Sequence, residues 1–203
     1  MTKFLLLIVL CLGVNAYAFT NLNDLCENDK PLSFVHGPYT LNIICGYKDQ
    51  DVTMFTFKTA NSIHNFKVPG LLFVGGAYKI TWPKDDLMQL YLGLSPQNNF
   101  TIFFDVKNWR VSESIPNLFA LNVAKEIIAY PLDSESAVAV SPIFDLSKKI
   151  LIKEDFTYGL PTIAVYPDET CFDHEGNFIL DYGAGQDYTE TKKVFSIDYS
   201  KLQ

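Results

Sequence analysis

The chain of 203 residues reads as all-β and mainly antiparallel, a β-sandwich or jelly-roll-like fold with at most one short helix around 115–128. Three observations predict this class. Short apolar runs recur about ten to twelve times between Gly, Pro, Asn and Asp punctuation, as expected of strands in a sandwich or barrel. Sixteen Phe and eleven Tyr supply side chains that favour pleated, half-buried surfaces. Only one stretch, Ser114 to Tyr130, repeats its apolar residues at helical spacing.

The first eighteen residues differ in character from the rest. Lys3 opens them with a positive charge, and Phe4 to Val14 runs for eleven residues without one. Ala16 and Ala18 then place small residues where a signal peptidase needs them. A bilayer span takes roughly 20 apolar residues, so Met1 to Ala18 reads as a cleaved secretory signal peptide and not as an anchor. Cleavage before Phe19 would leave 19–203 as a single secreted β-rich domain, with a sub-boundary near 133–147 and no transmembrane segment.

Tyr39, Leu41, Ile43 and Cys45 share one parity, a half-buried strand. Beyond the turn Asp49-Gln50-Asp51, Val52 to Thr59 forms a second strand with Phe55 and Phe57 on one face, so the two make a hairpin. Gly75-Gly76 joins Leu71 to Val74 and Ala77 to Trp82 as a further hairpin. No Lys-Ser/Thr follows that glycine pair at phosphate-loop spacing. Lys84-Asp85-Asp86 turns the chain into Leu87 to Leu94, and Phe100 to Val106 is the next strand. Trp109 reads as core or interface packing with Arg110 at its polar edge.

In Ser114 to Tyr130 the helical positions are Ile115, Leu118, Phe119, Val123 and Ile127, although Glu126 to Tyr130 also suits a strand. Ala137 to Val140, Ile150 to Ile152, Thr162 to Tyr166, Phe178 to Tyr182 and Val194 to Tyr199 complete the set of short strands.

Sixteen Lys and Arg stand against 23 Asp and Glu, a formal charge of -7 that becomes -8 once Lys3 leaves. That balance repels phosphate backbones and argues against a nucleic acid partner. The adjacent pairs Lys148-Lys149 and Lys192-Lys193 read as solvated surface.

Loss of Cys11 leaves Cys26, Cys45 and Cys171. In an oxidising compartment the expected disulfide joins Cys26 to Cys45, closing a loop of about 20 residues and stabilising the fold by roughly 3 kcal/mol. Cys171 stays outside that pair, and its simplest role is a thiol packed as a small hydrophobe. Asn99-Phe100-Thr101 is the one sequon of the mature chain and marks Asn99 for N-glycosylation.

The densest polar stretch runs from Asp168 to Asn177, followed by Asp181 and Asp187. Asp168, Asp173 and Glu175 are its candidate Ca²⁺ ligands, because hard cations take carboxylate oxygens. Their spacing does not match a helix-loop-helix calcium loop, and Asp173 to Asn177 reads more simply as a hairpin turn. Cys171 and His174 are too few for a zinc site, while His36 and His64 read as turn or surface residues. No Gly-x-Ser-x-Gly is present. No catalytic residue and no cofactor is assigned.

The resulting expectation is a secreted, non-enzymatic module that binds a protein, glycan or apolar ligand through an aromatic-rich loop or sheet face. A calyx-type carrier of a small apolar ligand is the alternative, although Trp82 and Trp109 both lie mid-chain, away from the Gly-x-Trp position of such carriers. A secreted hydrolase ranks last.

Overall fold

The computed structural model describes residues 20–21, 32–44, 52–69, 77–95 and 98–203. The expected signal peptide, Cys26, Cys45 and the Gly75-Gly76 turn lie outside the described residues. Within them the chain is antiparallel β-sheet with one short α-helix and three 3-10 turns. Among the described residues no helix is long and apolar enough to cross a membrane.

The strands fall into two compact units. One comprises the described residues between 20 and 118 together with Ile143–Leu146; the other comprises Phe119–Pro142 and Ser147–Gln203. The chain therefore passes from the first to the second after Leu118, returns for four residues, and leaves again after Leu146.

The first unit has two sheets. β2 (Leu32–His36), β3 (Tyr39–Ile44), β4 (Val52–Lys58) and β5 (Ile63–Pro69) form a meander of consecutive hairpins. The second sheet is ordered β1-β6-β7-β8-β10: β1 (Thr20–Asn21), β6 (Ala77–Lys84), β7 (Leu87–Ser95), β8 (Asn98–Asp105) and β10 (Ile115–Pro116). Off that path β9 (Arg110–Val111) also pairs with β8. The period-two pattern of the sequence decides what lies between the sheets. Leu41, Ile43, Phe55 and Phe57 from one sheet share a core with Ile80, Met88, Leu90, Ile102 and Phe104 from the other. Phe104 is the hub, its ring 4.9 Å from Phe55 and 5.6 Å from both Phe57 and Phe66. Removing each such ring from water stabilises the unit by about 1.5–3 kcal/mol. This is sheet-on-sheet packing, the sandwich branch of the expected class, built from meanders and not from interleaved jelly-roll strands.

At one end of this core Asp105, buried at the end of β8, organises a turn. Its carboxylate accepts from the backbone N–H groups of Lys107 and Asn108, from Asn108 Nδ2, and from Arg110 Nε at 3.0 Å. Arg110 also lies over the Phe144 ring, 4.3 Å from its centroid. Burial pushes the Asp105 carboxyl up, but the Asn108 donors and the Arg110 guanidinium outweigh it and hold it below its ordinary range.

The second unit pairs β11 (Ala120–Asn122), β12 (Ile127–Leu132), β13 (Ala137–Pro142) and β14 (Ile150–Lys153) in one sheet. β15 (Cys171–Phe172), β16 (Phe178–Ala184) and β17 (Thr189–Phe195) form another. Val138, Val140, Ile152, Phe156, Phe178, Leu180 and Tyr182 form its common core.

Three expectations need correction. The segment around 115–128 is not a helix: it forms β10, β11 and the start of β12, interrupted by positive φ at Asn117 and Glu126. Its β-branched Ile127 and Ile128 are both buried opposite Pro142 and Ser141 of β13, so tertiary pairing outweighs the helical spacing. Thr162 to Tyr166 is not a strand: Pro161–Ala164 is the one short helix, α1, with Pro161 where a missing N–H costs nothing. His64, expected in a turn or at the surface, is half-buried within a strand. It sits in β5 opposite Phe57 and stacks on Trp109 with ring centroids 3.4 Å apart.

Candidate binding face

The hairpin β16–β17 carries the most distinctive polar and aromatic surface of the second unit. Along β16, Phe178, Leu180 and Tyr182 point into the core, which by strand alternation sends Ile179, Asp181 and Gly183 to the opposite face. Their partners across the ladder are Val194, Lys192 and Glu190. A four-residue loop closes the hairpin, with φ +64° at Gly185 and φ +53° at Tyr188. Glycine adopts that conformation freely; tyrosine does so at a cost of about 1–2 kcal/mol.

Tyr188 folds back over Gly183. A Cβ placed on Gly183 would stand 3.1 Å from the Tyr188 ring, 3.2 Å from Thr157 Oγ1 and 3.5 Å from the Tyr166 hydroxyl. Gly183 is thus a notch on which three side chains converge. Thr157 Oγ1 donates to the Gly183 carbonyl at 2.9 Å, anchoring the 3-10 turn Thr157–Gly159. The next residue, Tyr158, also has positive φ, +57°. Its ring meets Tyr188 edge-on at 5.6 Å. Desolvation and the neighbouring phenols of Tyr158 and Tyr166 raise the Tyr188 hydroxyl above its ordinary range. In spite of this clustering the rings stay open to solvent: Tyr158 is 70 % exposed, Tyr188 42 % and Tyr166 39 %. Ile163 of α1, close in sequence, is half exposed as well.

Next to the tyrosines on the same face is a group of carboxylates. Oxygens of Glu169, Asp181 and Glu190 lie within 4.8 Å of one another. Glu190 stands directly opposite Gly183, and Tyr166 joins the two features by donating its N–H to the Asp181 carbonyl at 2.9 Å. Thr170 Oγ1 accepts from the Asp181 N–H at 3.1 Å, which fixes that strand position from the covering segment. Lys192 Nζ sits 3.1 Å from Asp181 Oδ2 and 3.6 Å from Glu169 Oε2. The hydrogen bond to Asp181 raises the Lys192 ammonium above its ordinary range. Asp181 is 1 % exposed, and its Oδ1 is buried with no hydrogen-bond donor. Lys193, on the other face of β17, pairs with Glu154 at 2.6 Å. The two lysines, solvated by sequence, each end in an ion pair.

Comparison with protein-family models, curated proteins and solved structures gives no match. The arrangement of side chains is therefore the ground for any functional reading.

The residues singled out by sequence are distributed differently. Asp173 closes the β15–β16 turn, accepting from the N–H groups of Glu175 and Asn177 and from Asn177 Nδ2. Burial pushes its carboxyl up, but these donors hold it below its ordinary range. Glu175 is exposed beside His174, and Asp168 is exposed in the preceding turn. Cys171 lies half buried in β15 opposite Ile179. Asn99, in β8, donates its N–H to Asn117 Oδ1 at 3.3 Å and accepts from the Asn117 N–H at 2.9 Å. The sequon's Thr101 is fully buried, with no partner for its hydroxyl. Sequence spacing does not single out Glu190 or Lys192, since only the β16–β17 register brings them to Asp181.

Proposed function

We propose that the protein is a secreted, non-enzymatic binding module that holds a protein partner on the face formed by Tyr158, Tyr166 and Tyr188. The observation that carries this reading is the exposed tyrosine cluster over Gly183, two of whose members occupy left-handed backbone. Backbone strain of this kind is kept where the surrounding structure holds it, and it concentrates at ligand clamps. Tyrosine suits an interface because its ring buries a large area while its hydroxyl keeps a hydrogen bond. Export is supported by the Met1 to Ala18 pattern.

The test is retention of extracellular proteins by the immobilised full-length product, recovered from the medium of secreting cells, compared with Tyr158→Ser/Tyr188→Ser. Both positions are exposed, so the variant should keep its circular dichroism and lose the partner by at least tenfold. Oxidative footprinting should show Tyr158, Tyr166 and Tyr188 protected in the complex. Equal retention by the variant, or no protection of these rings, would overturn the reading.

A further inference from the structure

We infer that Glu169, Asp181 and Glu190 form a site for a divalent cation, Ca²⁺ by its chemistry, which takes the place of the Lys192 ammonium between them. The first ground is geometric. Oxygens bound to one Ca²⁺ at about 2.3–2.6 Å can stand up to about 5 Å apart, and the three carboxylates lie within 4.8 Å of one another. Mg²⁺ demands near-ideal octahedral geometry and gives up its waters reluctantly, so Ca²⁺ suits a set of carboxylates held by strands and a loop better. The donors are all hard oxygens, which disfavours zinc and copper.

The second ground is the buried member of the set. Asp181 is 1 % exposed and its Oδ1 has no hydrogen-bond donor, although its carboxylate belongs to the group that converges. A buried carboxylate oxygen without a partner is costly, and a coordinated cation supplies what the neighbouring N–H and O–H groups do not. One ammonium against three carboxylates leaves the cluster net negative. Lys192 holds Asp181 at 3.1 Å but reaches Glu169 only at 3.6 Å, and its side chain is 53 % exposed. It can swing out to solvent without disturbing the ladder. The carboxylates stay, because Asp181 and Glu190 are fixed on paired strands and the Glu169 N–H donates to the Tyr166 carbonyl at 3.2 Å.

The site is independent of the proposed protein partner and can be tested without one. Calorimetric titration of the chelator-treated full-length protein with CaCl₂ should give one saturable event, with Kd of roughly 10⁻⁴–10⁻³ M as in extracellular modules. MgCl₂ should bind at least tenfold more weakly. Terbium should show tyrosine-sensitised luminescence that Ca²⁺ competes away, because Tyr166 and Tyr188 lie beside the cluster. Glu169→Gln/Glu190→Gln, altered at two exposed positions, should stay folded and lose both signals. Lys192→Met, which removes the competing ammonium, should bind Ca²⁺ several-fold more tightly. Absence of a saturable event, its survival in the double glutamine variant, or unchanged affinity in Lys192→Met would each overturn the inference.

Discussion

Lys192 and Asp181 face each other across the β16–β17 ladder, and the ammonium lies 3.1 Å from a carboxylate that is itself almost wholly buried. The asymmetry of exposure makes the two ends of this pair unequal. Removing the lysine leaves a buried charge without its counter-ion, whereas removing both charges leaves little behind. Lys192→Met should therefore destabilise the protein by about 2 kcal/mol in metal-free buffer, and Lys192→Met/Asp181→Asn should recover more than half of that loss. Urea denaturation of the three proteins checks this, and an additive double variant would refute the coupling.

Gly183 has negative φ, so its role lies in the space it leaves and not in backbone freedom. Gly183→Ala puts a methyl group 3.1 Å from the Tyr188 ring and 3.2 Å from Thr157 Oγ1. The expected cost is about 1–3 kcal/mol. The diagnostic reading is near-ultraviolet circular dichroism, where the tyrosine signal should fall as Tyr188 is displaced; an unchanged spectrum would show that the ring does not depend on the notch.

Asp105 makes the first unit sensitive to acid. Its folded-state carboxyl lies below the ordinary value of 3.8, so its contribution is fully present above that value and disappears as pH falls through the folded one. Stability measured in urea should drop as pH falls below about 4. Asp105→Asn should be less stable at neutral pH yet show a flatter acid limb. An equally steep limb in the variant would assign the acid sensitivity elsewhere.

The two tryptophans are each capped by a histidine ring: His64 on Trp109 at 3.4 Å and His36 on Trp82 at 4.1 Å. In a Trp82→Phe background, His64→Ala should red-shift and change the intensity of Trp109 emission. It should also cost about 1 kcal/mol, the scale of a stacked aromatic pair. Unaltered emission would mean that the stack does not shield the indole.

The class of fold is written in local alternation. Leu41, Ile43, Phe55 and Phe57 declare their faces within a few residues, and the structure buries all four. The failures arise where partners lie far away in sequence. Ile115 to Ile127 has helical spacing, but Ile115–Pro116 pairs with β8, Ala120–Asn122 with β12, and Ile127 with Pro142 of β13. Val194 to Tyr199 is strand only to Phe195, Tyr199 opening a 3-10 turn, while β17 begins at Thr189 because Thr-Glu-Thr-Lys-Lys is polar on both faces, as suits a strand at a sheet edge. The acidic stretch after Asp168 was visible as composition. That Glu169 joins Asp181 and Glu190, while Asp173 bonds to its own turn, follows from hairpin register and loop geometry that no spacing rule encodes.

The return of Ile143–Leu146 to the first unit bears on how the protein is made. A ribosome that has released residue 118 has not yet supplied Phe144, the ring beneath Arg110. The first unit must therefore wait for some thirty further residues, most of which belong to the second. Vectorial synthesis cannot complete the first unit before beginning the second, and a nick after Leu118 would put Ile143–Leu146 on a different fragment from the rest of the first unit.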